Sequence, residues 1–303
     1  MDVRTLFMKK QNLTIGFIGQ GWVGRHYADA FEQSGFITVR YGLEPQYVGN
    51  KSKIKDCDIT FIAVPTPTTP KGFSLDVVKE GLKLIGKGKI AVIKSTIVPG
   101  STARLQKAFP NKKVLYSPEF LSESTAAYDV AHPFANIVGL PVDNADYRAA
   151  AKKVHSILLP SPFSLTCTST EAEVIKYSHN ASGYVQIIFF NVMYDLAKKL
   201  GADWTPIQQA LRADPLISNR YAQPVHKSGR GAGGSCFIKD VAALRTIYEK
   251  LLPKDKKSSA FLRALESKNI ELLTSTKKDL HLLKGVYGEK LSDPAVKSPK
   301  TKK

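Results

Sequence analysis

The sequence predicts an α/β protein in which a doubly wound parallel sheet is followed by an α-helical domain built on one long central helix. Two observations carry that expectation. Short apolar runs rich in β-formers alternate with helix-length segments as far as Thr168, the pattern of strands joined by crossover helices. Beyond Thr170 the apolar period becomes helical and stays so. The 303 residues suffice for about two domains at roughly 150 residues each.

The first strand is LTIGFI, Leu13 to Ile18, and the glycine turn GQGWVG follows at once. The helical stretch RHYADAFEQSG comes next and ends on Gly35 as its C-cap. FITVRYG, DITFIAVP and KIAVIKST read as three more strands, separated by segments such as LDVVKEGLKLIGKG. KVLYSP and ANIVGL continue the series, and the helix DYRAAAKKVHSIL leads into PFSLTC. TEAEVIKYSHNASGYVQIIFFNVMYDLAKKLGAD then runs about 30 residues without proline, opening with a capping box between Thr170 and Glu173. At 1.5 Å per residue that helix is about 45 Å long. Only helical patterns and loops follow it. The expected division is a sheet domain over residues 1–168, a helical domain over 169–252, and a basic helical extension and tail over 253–303.

Lys+Arg 44 against Asp+Glu 26 gives a formal net charge of +18. From Lys254 onward 13 basic residues face 6 acids, ending in VKSPKTKK, which reads as a solvated tail. A basic body also concentrates phosphorylated ligands. No helix-turn-helix, zinc-finger or RNA-recognition signature is present, so nucleic acid is a minor alternative. No apolar run approaches the roughly 18 residues of a membrane span, and nothing before Lys9 and Lys10 reads as a signal peptide. Cys57, Cys167 and Cys236 are too few and too scattered for a disulfide framework, and the histidines show no ligand spacing. A cytoplasmic, reducing location without membrane or metal is expected.

Gly19, Gly21 and Gly24 stand in GxGxxG spacing between a strand and a helix. The first glycine permits the tight turn and the second lets a pyrophosphate approach the backbone. The third lets the helix pack on the strand, while the helix amides hold the anion. The sheet domain is therefore expected to be Rossmann-like and to bind NAD, with Gln20, Trp22 and Val23 in the same turn; a merely structural turn is the competing reading. An acid about 20 residues on should take the ribose 2′-hydroxyl. VRYGLEP puts Gly42 in that slot and leaves Glu44 as the nearest carboxylate. Arg40 keeps a 2′-phosphate, and hence NADP, open.

Three more clusters carry chemistry. In SGRGAGGSCFIKD, Cys236 follows a glycine turn and Asp240 lies one helical turn later. A thiol among flexible backbone amides suits a nucleophile; a small buried hydrophobe is the alternative. Lys176 and Asn180, at i and i+4, share a helix face and can hold a developing oxyanion, though a surface pair of these types is common. In SPEFLSE, Glu119 and Glu123 follow a strand end, the ligand-binding edge of doubly wound folds.

GQGWVG, AVPTP, KSTIVPG, YSPEFLSE, EVIKYSHN, GAD and GAGGSCFIKD occur in the order and approximate spacing of the UDP-glucose/GDP-mannose dehydrogenase family, which the chain resembles from about Leu13 to Leu251. The resemblance implies oxidation of the C6 alcohol of a nucleotide sugar to a carboxylate with two NAD+, UDP-glucose being the default donor. It implies that Cys236 is the nucleophile and that Lys176 and Asn180 stabilise the oxyanion. It gives Asp240 a water and that lysine as partners, and links Thr96 and Glu123 to hydrolysis. Pro65, Thr66, Ser95, Thr96 and Glu123 join the cofactor site. Glu119, Phe120, Leu121, Lys176, Asn180 and Gly233 join the substrate site. A homodimer through the long helix is implied as well. Four departures accompany the resemblance. The family's third, nucleotide-gripping domain has no counterpart after Leu251, and the stretch from Glu44 to Lys55 is trimmed. Ala232 and Ile238 replace an aromatic and a proline, and Leu216 replaces an arginine for which Arg220 or Arg230 is the candidate substitute. Cys57 and Cys167 match no motif. Two competing readings remain: a β-hydroxyacid dehydrogenase-like two-electron oxidoreductase, which shares the fingerprint and the Lys-x-x-x-Asn pair but needs no Cys236, and a non-catalytic NAD-binding remnant.

Overall fold

The computed structural model describes residues 13–217, 221–227, 229–289 and 291. It divides into two compact units: one runs to Thr66 and resumes from Ser74 to Lys176, and the other takes Pro67–Phe73 and the chain from Tyr177 onward.

In the first unit β1 (Thr14–Ile18), β2 (Ile37–Tyr41), β3 (Ile59–Ile62), β4 (Ile90–Ile93), β5 (Lys113–Tyr116), β6 (Asn136–Leu140) and β7 (Ser164–Thr168) form one sheet, ordered β2-β1-β3-β4-β5-β6-β7. Every residue of β3 and β4 is buried, as a parallel strand covered on both faces requires. Phe17 of β1 stacks on Phe61 of β3 at 5.4 Å, and Phe31 of the helix α1 (Trp22–Gln33) meets both rings edge-on. That aromatic knot locks the first helix onto the sheet. Helix α1 stops as predicted: Gly35 takes φ +83°, and the Phe36 amide reaches back to Phe31 O at 3.1 Å.

Beyond α1 the unit contains α2 (Pro45–Val48), α3 (Asp76–Leu84), α4 (Ser101–Ala108), α5 (Ala126–Ala131) and α6 (Ala145–His155). The trimmed stretch after β2 holds only the one-turn α2 and a 3-10 segment, Lys51–Asp56. The sheet departs from the predicted all-parallel form at one seam, where β5 and β6 run antiparallel through Tyr116 and Gly139. The connection between them holds only the six-residue α5, which packs on α1, so the chain re-enters from the opposite end.

The long helix α7 is 31 residues, Ser169–Lys199. Its capping box lies two residues earlier than the sequence predicts: the Thr168 amide donates to Glu171 Oε2 at 2.7 Å and the Glu171 amide to Thr168 Oγ1 at 3.3 Å. Glu173 is fully buried and accepts instead from the Gly100 and Thr102 amides and the Thr102 hydroxyl at the head of α4. One glutamate thus answers the orphan amides of a different helix, and burial raises its pKa despite those bonds.

In the second unit α7 continues from Tyr177, followed by α8 (Trp204–Ala213), α9 (Gly234–Leu251), α10 (Lys256–Ser275) and α11 (Leu280–Tyr287). The ribbon of Val225–His226 with Gly229–Arg230 interrupts the expected all-helical pattern, and a second ribbon, Thr68–Thr69 with Gly72–Phe73, joins this unit from residues expected in the sheet domain. Helices α10 and α11 do not trail away as a solvated extension. Ile270, Leu273 and Leu283 pack with Ile238, and Leu272 packs with Tyr184, Ile188 and Val241. The basic residues beyond Leu291 lie outside the described residues.

Candidate active site

The carboxyl ends of β1, β3, β4 and β5 set the first group of residues. Gly19 turns at φ +91°, and a Cβ there would overlap the Ala63 carbonyl; one on Gly24 would overlap Gly19 O. Gly21 caps α1 with no side-chain hydrogen bond, and no atom lies within 4 Å of where its Cβ would stand. The turn is thus tight at its ends and open in the middle, beside uncapped helix amides. Trp22 and Val23 begin α1, with Trp22 exposed. Thr66 donates to Thr96 O at 2.7 Å, and Ser95 Oγ bridges the Val64 amide and carbonyl at 2.9 and 2.7 Å. These bonds hold the loops after β3 and β4 together. Pro65 is exposed beside them, and Thr96 is buried.

The acidic slot is filled from an unexpected direction. The Glu44 carboxylate curls back so that Oε2 occupies the space a side chain on Gly42 would take, against the Gln20 stem. Among the described residues Glu44 Oε2 and Gln20 Oε1 are both buried without hydrogen-bond partners. Two orphaned acceptors are costly unless a ligand supplies donors, and a ribose diol supplies two. Arg40 is already engaged: its guanidinium pairs with Asp29 at 2.7 Å and Glu32 at 2.5 Å, which leaves the 2′-phosphate reading without its cation. The open glycine turn and the two acceptors fit an adenosine dinucleotide.

After β5 comes a buried charge cluster. Lys176 Nζ meets Glu119 Oε1 at 3.0 Å and donates to Glu119 O at 2.6 Å. Glu119 Oε2 accepts from the Leu121 amide at 2.7 Å. Burial pulls the Glu119 carboxyl upward, but Lys176 and that amide outweigh it and hold the pKa below the usual carboxylate range. Phe120 lies under Lys176, ring centroid 5.4 Å from Nζ. Glu123, farther along the loop, is exposed. Lys94, one residue before Ser95, is 2 % exposed. Sequence reasoning missed it, although a lysine directly after the apolar run IAVI was the available signal.

In the second unit Gly231 and Gly234 turn at φ +86° and +79° and open α9. Cys236 is exposed in the first turn of that helix, at the positive end of the helix dipole. One turn on, Asp240 is 2 % exposed. Its Oδ2 accepts from Asn180 Nδ2 at 2.7 Å, and its Oδ1 pairs with Lys239. The resemblance links Asp240 to Lys176; here Asp240 holds Asn180 and Lys239, and Lys176 holds Glu119. Lys239 was a further residue that sequence reasoning passed over. Gly233 is crowded by Asp279, whose Oδ2 accepts from the Gly234 amide at 2.8 Å. Arg230 is committed to α7, bonding Asn191 Oδ1 at 2.8 Å and Asp195 at 2.7 Å and lying 5.0 Å from the Tyr194 ring centroid. Arg220 lies outside the described residues.

Comparison with known proteins bears on both units. Residues 47–159 match the NAD-binding domain, and residues 170–269 the central domain, of the UDP-glucose/GDP-mannose dehydrogenase family. A UDP-glucose 6-dehydrogenase of Rickettsia prowazekii is 32% identical over 208 residues, 65% of this chain and 46% of that one. The chain spans about half the length of the curated relatives it matches. Among solved structures, a UDP-glucose dehydrogenase of Pyrobaculum islandicum superposes with TM-score 0.73 at 26% identity, covering 86% of this chain and 69% of that one. A 3-hydroxyisobutyrate dehydrogenase of Mycobacterium tuberculosis shares the fold alone, at 15% identity and TM-score 0.63, with 86% and 96% covered. The domain match assigns NAD as the cofactor. With both its domains matched by one family, the chain belongs to the UDP-glucose/GDP-mannose dehydrogenases.

Proposed function

We propose that this protein is an NAD-dependent nucleotide-sugar 6-dehydrogenase that oxidises a primary alcohol to a carboxylate in two steps, with UDP-glucose as the default donor. The observation that carries the reading is Cys236, exposed at the head of α9 one turn from buried Asp240, which holds the Asn180 amide at 2.7 Å. Bound NAD supplies a hydride acceptor, used twice. Gln20 and Glu44 would hold its ribose, and the Gly19–Gly24 turn its pyrophosphate.

The first oxidation takes a hydride from C6 and a proton from its hydroxyl, leaving an aldehyde. The Cys236 thiolate adds to that carbonyl, and Lys176 and Asn180 stabilise the oxyanion as it forms and is protonated to a thiohemiacetal. Loss of a second hydride and a proton gives a thioester. Water, activated with the help of Asp240 and the Thr96 and Glu123 positions, releases the acid and returns the thiol. Per sugar, one alcohol, one water and two NAD+ give one carboxylate, two NADH and three protons. Glu119, fixed by Lys176, belongs to the substrate side with Phe120 and Leu121.

NADH formation at 340 nm with UDP-glucose, UDP-N-acetyl sugars and GDP-mannose tests the reading. Two NADH per sugar in the parent, lost in Cys236→Ser, support it. A Cys236→Ser variant with full activity overturns the thiol mechanism and favours two-electron hydroxyacid chemistry. NAD binding with no NADH from any donor favours a remnant without turnover.

A homodimer through α7 belongs to the same proposal. Phe189, Val192, Met193 and Leu196 are exposed along that helix and Leu200 just beyond its end, a stripe that burial in a second copy would remove from water. Light scattering on Leu196→Glu tests it: a parent dimer becoming a monomer is expected, and a monomeric parent refutes it.

A further inference from the structure

Lys94 is a buried lysine of the first unit that the proposed mechanism leaves without a role. Its surroundings come from several elements: Tyr27 on α1, Phe61 on β3, Ser117, Pro118 and Glu119 after β5, and Lys176 on α7, with His155 on α6 within electrostatic range. Nζ stands 3.0 Å from Ser117 Oγ, 3.5 Å from Pro118 O and 3.4 Å from the Tyr27 hydroxyl, and 4.4 Å from the Tyr27 ring centroid. Among the described residues no carboxylate lies within ion-pair distance of it.

Hydrogen-bond accounting decides between the two forms of this amine. An ammonium brings three donors and no acceptor, whereas a neutral amine brings two donors and one lone pair. Ser117 Oγ and Pro118 O accept two N–H groups. The Tyr27 hydroxyl proton has no other partner among the described residues, and burial followed by the Glu119 charge keeps that phenol protonated. The Tyr27 oxygen can take a third N–H from an ammonium, or its proton can meet the lone pair of a neutral amine; the second arrangement leaves neither an unpartnered proton nor an uncompensated charge, since Glu119 is already held by Lys176. Electrostatics agree, since burial pushes Lys94 down to about 7, Glu119 opposing and Lys176 adding to the fall.

We propose that Lys94 is a positioning residue that rests as a neutral amine, leaving Glu119 to Lys176 alone, and that its protonation weakens that pairing. A protonated Lys94 adds a second cation that attracts Glu119 and repels Lys176. The consequence for turnover rests on the dehydrogenase reading; the state of the amine does not.

Two experiments test this. In pH profiles of kcat/KM for NADH formation from UDP-glucose, the parent should lose activity on an acid limb near pH 7. At one pH unit below that limb it should run at about a tenth of its plateau. Lys94→Met, which cannot be protonated, should lack the limb and gain about tenfold over the parent relative to its own plateau. Lys94→Arg, permanently charged, should be depressed at every pH. An unchanged limb in Lys94→Met overturns the proposal, and a merely structural role would change melting temperature without moving the profile. Independently, carbon-13 NMR of lysine Cε in the full chain without substrate should show one lysine titrating near pH 7 that is missing from both variants. Titration of every lysine above about pH 9 overturns the proposal whatever the enzyme does. Failure to form NADH from any donor removes the function and leaves the NMR result standing.

Discussion

Gly19–Gly24 and Gly231–Gly234 are both glycine-rich turns, and each opens a helix whose N-cap makes no side-chain hydrogen bond. Their missing side chains serve different purposes. In the first turn the outer glycines clear backbone, the Ala63 and Gly19 carbonyls, while Gly21 faces open space. In the second, the protein fills the gap itself: Asn269 and Leu272 press on Gly231, and Asp279 and Lys278 on Gly233. Asn269 Oδ1 and Asp279 Oδ2 then accept the Ala232 and Gly234 amides at 2.7 and 2.8 Å. One turn is open at its centre, and the other is filled by side chains that brace the start of the helix carrying Cys236.

The largest effect expected from breaking this contrast is Cys236→Ser, because a braced turn has no use without the thiol. NADH formation should fall by about 10³-fold or more, with melting temperature and NAD affinity unchanged. A loss of NAD binding along with turnover would show that the second turn shapes the fold rather than the chemistry.

Next come the crowded glycines. Gly24→Ala drives a methyl into the Gly19 carbonyl, backbone that cannot move aside, and should cost about 3 kcal/mol. Gly233→Ala meets the ends of two side chains, which can swing away at the expense of the Asp279 hydrogen bond, about 1–2 kcal/mol. Chemical denaturation ranks the two. Equal losses would mean that the second turn is as rigid as the first.

Much of this was legible in sequence, and the reasons differ by element. Short apolar runs and GxGxxG are local signals, so β1, α1 and the Gly35 stop fell where predicted. The proline-free stretch from Thr170 gave α7, but its capping box slipped by two residues, because Thr170 and Glu173 satisfy the same spacing as Thr168 and Glu171. Only burial of Glu173 against α4 separates them. The antiparallel seam at β6 depends on how a connection packs, which no strand propensity records. Arg230 shows the same limit at the site. The resemblance offered it as a substitute for the arginine that Leu216 replaces, and Asn191 and Asp195 on α7 engage it. The role of α10 and α11 in the core was hidden by charge, since Lys256, Lys257, Lys268 and Lys284 made the segment read as a basic extension.

Gly21→Ala sharpens the contrast from the other side. With φ −69° and nothing within 4 Å, an alanine there should leave folding stability unchanged while weakening NAD about tenfold, as titration calorimetry would read. If stability falls instead, the open space is not a cradle.

The smallest effect expected is at the acidic slot, and it isolates the part of the first turn that reads the ribose. Glu44→Ala removes one of two buried acceptors and should weaken NAD about fivefold, with no compensating gain for NADP because Arg40 is held by Asp29 and Glu32. Gly42→Asp alone should be worse than the parent, since its side chain would collide with the Glu44 carboxylate. Combined, Gly42→Asp and Glu44→Ala put one carboxylate back into one space, and NAD affinity should return toward the parent value. Additive losses in the double variant would mean that Glu44 and Gly42 do not share the slot, and that the turn recognises the dinucleotide through its phosphates alone.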